Sequence, residues 1–474
     1  MKTFTLLLGR VRSVRPLVRR LSARPDGWRA AASLAVIVGT CRWLGGAGLL
    51  LGVTLLHAGE FFLHDGDRVV FLGDSITEQR LYTTYIEAYA LSRHPTWKLS
   101  FRNAGWGGDT AWLRMRLHAD EVLLFAADDA RQTDMVRKSV GYGLERDVLP
   151  LKPTVVLVNF GMNDHYYQAF RPDILRAYVR AQTEIARVLQ AGGARVAFLT
   201  PQPIEEKRPD PDQDVRNQAL RRFSDALGDV AARTHSLFVD EFDPYLALMK
   251  ASTAATIGRG DAIHPGPAGH TLMAWAILKG LGATPLVSSA TIDGRTGRVE
   301  STEACRIDRV TKENGTMAFD RLDDALPMPI DPKAESALSL APVLMDLNFY
   351  DLKIPGLPPG RYTVTIDGRT VSTVNASELA ESWRFSRGGG PITEQAQDLL
   401  ALIFRKNDAY FRRWRNVQLY AAPEWVIAPP ELEVKRQAEL TRLDREIADL
   451  EAAIDIARKP KTHHFLIAPA PAGS

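Results

Sequence analysis

Four short blocks of this chain hold residue types that could do chemistry together. They are VVFLGDSIT (69–77), NAGWGGDT (103–110), VVLVNFGMND (155–164) and DAIHPGPAGH (261–270). Ser75 follows an apolar run and the bend Gly73-Asp74, a turn able to present a hydroxyl at a sheet edge. A serine is a poor nucleophile until a base removes its proton. Of the ten histidines, His264 is the best placed base, because Asp261 precedes it by three residues. Such a carboxylate can hold the ring in one tautomer and leave the other nitrogen for the serine. A tetrahedral intermediate also needs donors aimed at its oxygen anion, each typically worth about 3 kcal/mol. The backbone N–H groups of Ser75 and Gly108 and the side-chain amide of Asn163 are the candidates. Nucleophile, base, orienting acid and oxyanion donors are the roles that acyl transfer through serine requires.

Each residue also has a plainer reading. Ser75 could cap a helix, Gly108 and Asn163 could be turn residues, and Asp261 and His264 could be a surface pair. The case rests on all four blocks together. Asp74, Asp109 and Asp164 flank three of the blocks and are expected to cap or brace loops. Asp74, Trp106 and His165 are the substrate-pocket candidates, and the pocket walls are expected to include loop residues near Trp106, Trp112 and His165 to Tyr167. His270, inside an expected helix, is read as structural.

The elements that must position these residues can be read from patterning. Val69–Leu72, Leu99–Arg102, Val155–Asn159, Val196–Leu199 and Leu237–Val239 read as strands. The first, third and fourth are apolar without alternation, as strands buried on both faces are. Thr83–Arg93, Asp173–Gln190, Asp214–Thr234 and Pro267–Gly280 read as helices. This alternation implies a parallel sheet covered on both faces. Ligands bind such sheets beyond the carboxyl ends of the strands, which is where the blocks fall.

On these residues the chain resembles the SGNH (GDSL-type) hydrolase family, over about residues 65–284. The resemblance implies a three-layer α/β/α flavodoxin-like parallel sheet. By the same resemblance Ser75 is the nucleophile, Gly108 and Asn163 are oxyanion residues, and Asp261 and His264 complete the triad. The first block reads Gly-Asp-Ser-Ile where the family's name has Leu at the last position.

Length and charge set the surroundings. A chain of 474 residues suggests more than one domain. We expect four regions: 1–58 as a signal peptide or N-terminal anchor, 59–284 as the hydrolase domain, 285–390 as a β-rich accessory module, and 391–474 as a helical region. Residues 1–58 hold nine Lys/Arg and one Asp, ahead of and within a largely apolar stretch, so we expect export, with membrane anchoring by an uncleaved segment as the alternative. The remaining residues hold 50 basic and 55 acidic side chains, which argues against a nucleic-acid partner. The two cysteines, Cys41 and Cys305, predict no intrachain disulfide once the N-terminal segment is removed, and no Cys/His cluster has zinc spacing. No metal or cofactor is expected.

Beyond residue 284 the pattern changes. Asp293-Gly294, Asn314-Gly315 and Asp367-Gly368 read as turns between short strands, and Ile392–Trp414 and Pro430–Arg458 read as helices. In the last helix Leu440, Leu443, Ile447, Leu450, Ile454 and Ala457 form an apolar seam. It suits packing on the chain's own body, or a homodimer through residues 431–458. The resemblance extends to the C-terminal extension of some secreted bacterial members. The expected activity is a serine esterase acting on O-esters, with acetylated carbohydrate as the preferred substrate class. Lysophospholipase, thioesterase or acyltransferase chemistry is the alternative, as is a carbohydrate-binding surface scaffold.

Overall fold

The five strands read from the sequence form one sheet, the three central ones buried on both faces and the two edge strands partly exposed. In the computed structural model they are β1 (Arg68–Gly73), β2 (Ser100–Asn103), β3 (Val155–Asn159), β4 (Arg195–Leu199) and β5 (Leu237–Val239). All pairs are parallel, in the order β2-β1-β3-β4-β5. The structure describes residues 60–206, 210–254, 256–384, 389–420, 429 and 431–471. The expected leader over 1–58, with Cys41, lies outside those residues.

Alternate strand residues feed two separate cores. Val69, Phe71, Val155, Leu157, Ala197 and Leu199 face one, and Val70, Leu72, Val156, Val158, Val196 and Phe198 face the other. Helices Leu81–Arg93 and Pro267–Gly280 cover the first face. Asp129–Asp147, Pro172–Ala191 and most of Val215–Thr234 cover the second. This is the three-layer α/β/α arrangement with flavodoxin-like strand order. Its topological switch point lies at β1 and β3, where a crevice opens.

Two departures from the sequence reading have local causes. The first long helix begins at Leu81, two residues early, directly after Arg80 takes a left-handed φ of 63°. Helix Asp129–Asp147 was not foreseen. Its charged face and internal Gly141 and Gly143 dilute the apolar period, while the Asp128 side chain caps it by accepting from the Arg131 N–H.

The module beyond residue 284 holds two further sheets. One contains β6 (Leu286–Ile292), β7 (Val299–Glu303), β10 (Phe349–Lys353) and β13 (Trp383–Arg384), in the order β13-β10-β6-β7. The other contains β8 (Cys305–Glu313), β9 (Thr316–Asp323), β11 (Arg361–Ile366), β12 (Arg369–Asn375) and β14 (Thr462–Pro469), in the order β12-β11-β14-β9-β8. Asn314-Gly315 and Asp367-Gly368 turn its two hairpins, all four residues at positive φ, as tight hairpin turns require. The C-terminal strand β14 thus sits in the middle of its sheet, and His463 and His464 on it pair with Asp367 and Asp320.

The C-terminal helices fold back onto the first sheet's layers. Helix Pro391–Phe411 lies on Leu81–Arg93, fastened by a buried cluster. Lys406 Nζ lies 2.6 Å from Glu87 Oε1, while Asn407 Nδ2 donates to Glu87 Oε2 and to Thr84 Oγ1, both at 2.9 Å. In helix Glu431–Ala457 the seam residues Leu443, Ile447, Leu450 and Ile454 are buried, the last three within the chain's own cores.

Candidate active site

The loops after β1, β2 and β3, and the loop before helix Pro267–Gly280, meet at the switch point. β1 ends in Gly73, where a side chain is sterically excluded: a Cβ would lie 2.6 Å from the Asn159 carbonyl oxygen and closer still to Thr77 Oγ1. The chain therefore turns tightly into the short helix Ser75–Glu78. Asp74 caps that helix, its Oδ1 accepting the Ile76 N–H at 2.9 Å. Ser75 becomes the first helical residue, whose N–H has no intrahelical acceptor.

Ser75 Oγ lies 3.0 Å from His264 Nε2. On the ring's other side His264 Nδ1 lies 3.2 Å from Asp261 Oδ2. Asp261 Oδ1 accepts the N–H groups of Ile263 and His264 at 2.8 and 2.6 Å, so the carboxylate is fixed by its own loop. Partial burial raises the Asp261 pKa. Those N–H donors and the His264 ring outweigh it and hold the carboxyl below its ordinary range. Gln202 Nε2 donates to the Ile263 carbonyl and Glu205 N–H to the Ala262 carbonyl, tying the loop to the end of β4. His264 is 36% and Asp261 67% exposed at the side chain, so water reaches this side of the site.

The second and third blocks are stapled to each other. Asn163 Nδ2 donates to the Asp109 carbonyl at 2.9 Å, and Asp164 Oδ1 accepts the Ala111 N–H at 2.8 Å. Tyr167 Oη donates to Asn163 Oδ1 at 2.7 Å, which fixes which end of the amide is the donor. Gly108 adopts φ 78°, a conformation that glycine takes without penalty. Its N–H has no hydrogen-bond partner among the described residues, whereas the neighbouring Gly107 N–H is held by Glu78 Oε2 at 2.9 Å. A Cβ on Gly107 would lie 3.9 Å from that of Ser75, which puts this loop against the nucleophile candidate.

The three flanking aspartates brace the loops. Asp109 holds the Met115 N–H and the fully buried Arg116, which also donates to Asp147 at 2.9 Å and to the Ala104 carbonyl at 2.6 Å. Burial pushes the Asp74 carboxyl up to about 7, with Asp164 adding to the rise against the opposing Ile76 N–H. Burial likewise pushes Asp164 up to about 7, against donors Ala111 and Gly161.

The pocket candidates are placed differently from one another. Asp74 and His165 are closed off from solvent. Burial lowers the His165 pKa to about 4, and its Nδ1 lies 3.1 Å from the Gly161 carbonyl oxygen. Trp106 is half-buried and meets Trp414 edge-on at 6.1 Å. Trp112 is buried and donates to Glu121. The rim is formed instead by Tyr167, exposed and, like Tyr166, at left-handed φ, a strained conformation for an aromatic residue. Burial, then the Asp74 charge, raises its hydroxyl to about 12. His270 is neutral and structural: burial lowers it to about 3, its Nδ1 accepts the Tyr82 N–H, and its Nε2 meets Gln79 Oε1 at 2.7 Å. The sequence placed Tyr167 in a pocket-wall loop, but its bond to Asn163 and the role of Glu78 were not read from it, since neither belongs to a spacing pattern.

Comparison with known proteins adds three findings. Residues 71–272 match the model of the GDSL-like Lipase/Acylhydrolase family. An acetylxylan esterase of Geobacillus stearothermophilus is 28% identical over 147 residues, which make up 29% of this chain and 64% of that protein. The solved structure of "BT4096 a gut microbial diltiazem-metabolizing enzyme" superposes with a TM-score of 0.68 at 22% identity, covering 86% of this chain and 98% of that one. The shared fold thus runs well past the family-matched residues.

Proposed function

From the premise that residues 71–272 belong to the GDSL-like lipase/acylhydrolase family, we propose that the protein is a serine esterase that hydrolyses O-acyl esters through an acyl-enzyme. The observation that carries this reading is the 3.0 Å contact of Ser75 Oγ with His264 Nε2, with Asp261 on the opposite ring nitrogen. Ser75 Oγ attacks the ester carbonyl while its proton passes to His264 Nε2. The carbonyl oxygen becomes an anion and accepts hydrogen bonds from the Ser75 and Gly108 N–H groups and from Asn163 Nδ2. The intermediate collapses, the C–O bond to the alcohol breaks, and the alcohol departs with the proton held by His264. Water then gives a proton to His264 and attacks the acyl carbon. The second intermediate releases the acid and returns the proton to Ser75. Asp261 stays ionised throughout and stabilises the imidazolium.

The substrate class is an acetylated carbohydrate, supported by the acetylxylan esterase relative. The exposure of His264 and Asp261 favours water over a second alcohol as the acyl acceptor. The protein acts outside the cytoplasm, as the basic and apolar character of residues 1–58 suggests. A panel of acetylated oligosaccharides, esters of graded chain length, thioesters and lysolipids tests the reading, with Ser75→Ala as the control. The expected result is deacetylation of oligosaccharides that disappears in the variant. Preference for long acyl chains or lysolipids would overturn the substrate class, and Ser75-independent turnover would overturn the mechanism.

A further inference from the structure

The oxyanion segment is held by a residue far outside the family-matched region. Glu78 closes the short helix that begins with Ser75. Its two carboxylate oxygens face different ways: Oε2 accepts the Gly107 N–H at 2.9 Å, and Oε1 lies 3.2 Å from Arg415 Nε. The Arg415 guanidinium also stacks 3.6 Å over the Trp106 ring, and Trp106 precedes Gly107 in the same loop. Both side chains of the Arg415–Glu78 pair are about three-quarters buried, at 25% and 24% exposure. Arg415 comes from a π-helical turn, Arg412–Gln418, that continues helix Pro391–Phe411. Such turns are rare and frequent at functional sites. The same helix end reaches the nucleophile segment a second time, through Arg80, whose guanidinium lies 4.1 Å over Phe411 and donates to the Glu78 carbonyl.

We propose that Arg415, acting through Glu78 and Trp106, is a positioning residue that fixes the Gly107–Gly108 segment for oxyanion binding. The proposal rests on the serine-esterase reading above. Glu78 alone could swing toward solvent; with its other oxygen held by Arg415, it keeps Gly107 in place. Gly108, next in the chain, then presents its N–H where the anion develops. Arg412 and Arg413 pair instead with Glu446 and Asp444 on helix Glu431–Ala457 and anchor the turn.

The test compares Arg415→Ala, Arg415→Lys, Glu78→Gln and the Ala/Gln double variant in the full chain, using a chromogenic acetyl ester. Thermal unfolding is measured in parallel. A misplaced donor should lower kcat about ten- to a hundredfold with little change in KM, since an interaction made in the transition state is lost. The double variant should be no worse than the poorer single variant, and Arg415→Lys should recover part of the loss. Glu78→Gln, nearly the same shape, keeps the test decisive if Arg415→Ala unfolds. Wild-type kcat in folded Arg415→Ala, additive losses, or a rise in KM alone would overturn the proposal. If Ser75→Ala is inactive while Arg415→Ala is fully active, only the positioning role fails. If Ser75→Ala retains activity, the underlying reading fails first.

Discussion

At the residue scale the site is a set of donors and acceptors each fixed by a second contact. Asn163 is the clearest case, held at its oxygen by Tyr167 and at its nitrogen by the Asp109 carbonyl. Asn163→Ala should lower kcat about 10²- to 10³-fold in steady-state assays, with the variant still folded by circular dichroism. The buried acid Asp74 predicts a pH effect on stability. Its folded pKa of about 7 lies above the unfolded value of about 3.9. Its stabilising contribution is therefore full below about pH 4 and lost as pH rises through about 7. Asp74→Asn keeps the cap on Ile76 and removes the titration. The stability change on substitution should thus be more favourable by a few kcal/mol at about pH 8 than at about pH 5, read by chemical denaturation. His270, lowered to about 3, works in the opposite direction and loses its contribution as pH falls below about 6.5, and it is shared by parent and variant, while Asp164, whose charge adds to the Asp74 rise, responds together with Asp74. A difference independent of pH would contradict the burial argument. Sequence could single out Ser75, His264 and Asp261, because the chemistry demands those types. It placed Tyr167 in a pocket loop but could not reveal its bond to Asn163 or the part of Glu78, which depend on which loop lies opposite.

At the element scale, legibility followed burial pattern. The doubly buried strands announced themselves by unbroken apolar runs, and the sheet's five strands fall within a residue or two of their expected ends. Helix Asp129–Asp147, half charged and broken by two glycines, carried no such signal. The turns at Asn314-Gly315 and Asp367-Gly368 were legible because positive φ selects those residues. The clasp between helices Pro391–Phe411 and Leu81–Arg93 was hidden, because a Lys406–Glu87 pair separated by so much chain leaves no local pattern. Both members are buried, so removing one strands a charge. Lys406→Ala should destabilise by about 3–5 kcal/mol in equilibrium unfolding, while Lys406→Met with Glu87→Leu should recover much of it. Equal stability of Lys406→Ala and the parent would contradict the clasp.

At the scale of the whole molecule, the chain's end completes structures begun much earlier. β14 pairs with both β11 and β9, and buries Phe465 and Ile467 in the core that also holds Val69 and Phe71. Removing residues 462–474 should therefore abolish cooperative unfolding, not trim a tail, with loss of the near-ultraviolet circular dichroism signal as the readout. Neither that strand's central place nor the docking of Arg415 on Glu78 follows from local sequence, since both depend on pairings about a hundred or more residues apart. The most direct test of the central claim uses the intact protein: rapid quenching during turnover of an acetyl ester, then intact-mass and peptide mass spectrometry. Parallel rates compare the parent with Ser75→Ala. The account predicts one acetyl group on Ser75, absent in Ser75→Ala, whose turnover falls about 10⁴-fold or more. Unchanged turnover in Ser75→Ala, with no acetyl group on Ser75 in the parent, would contradict it.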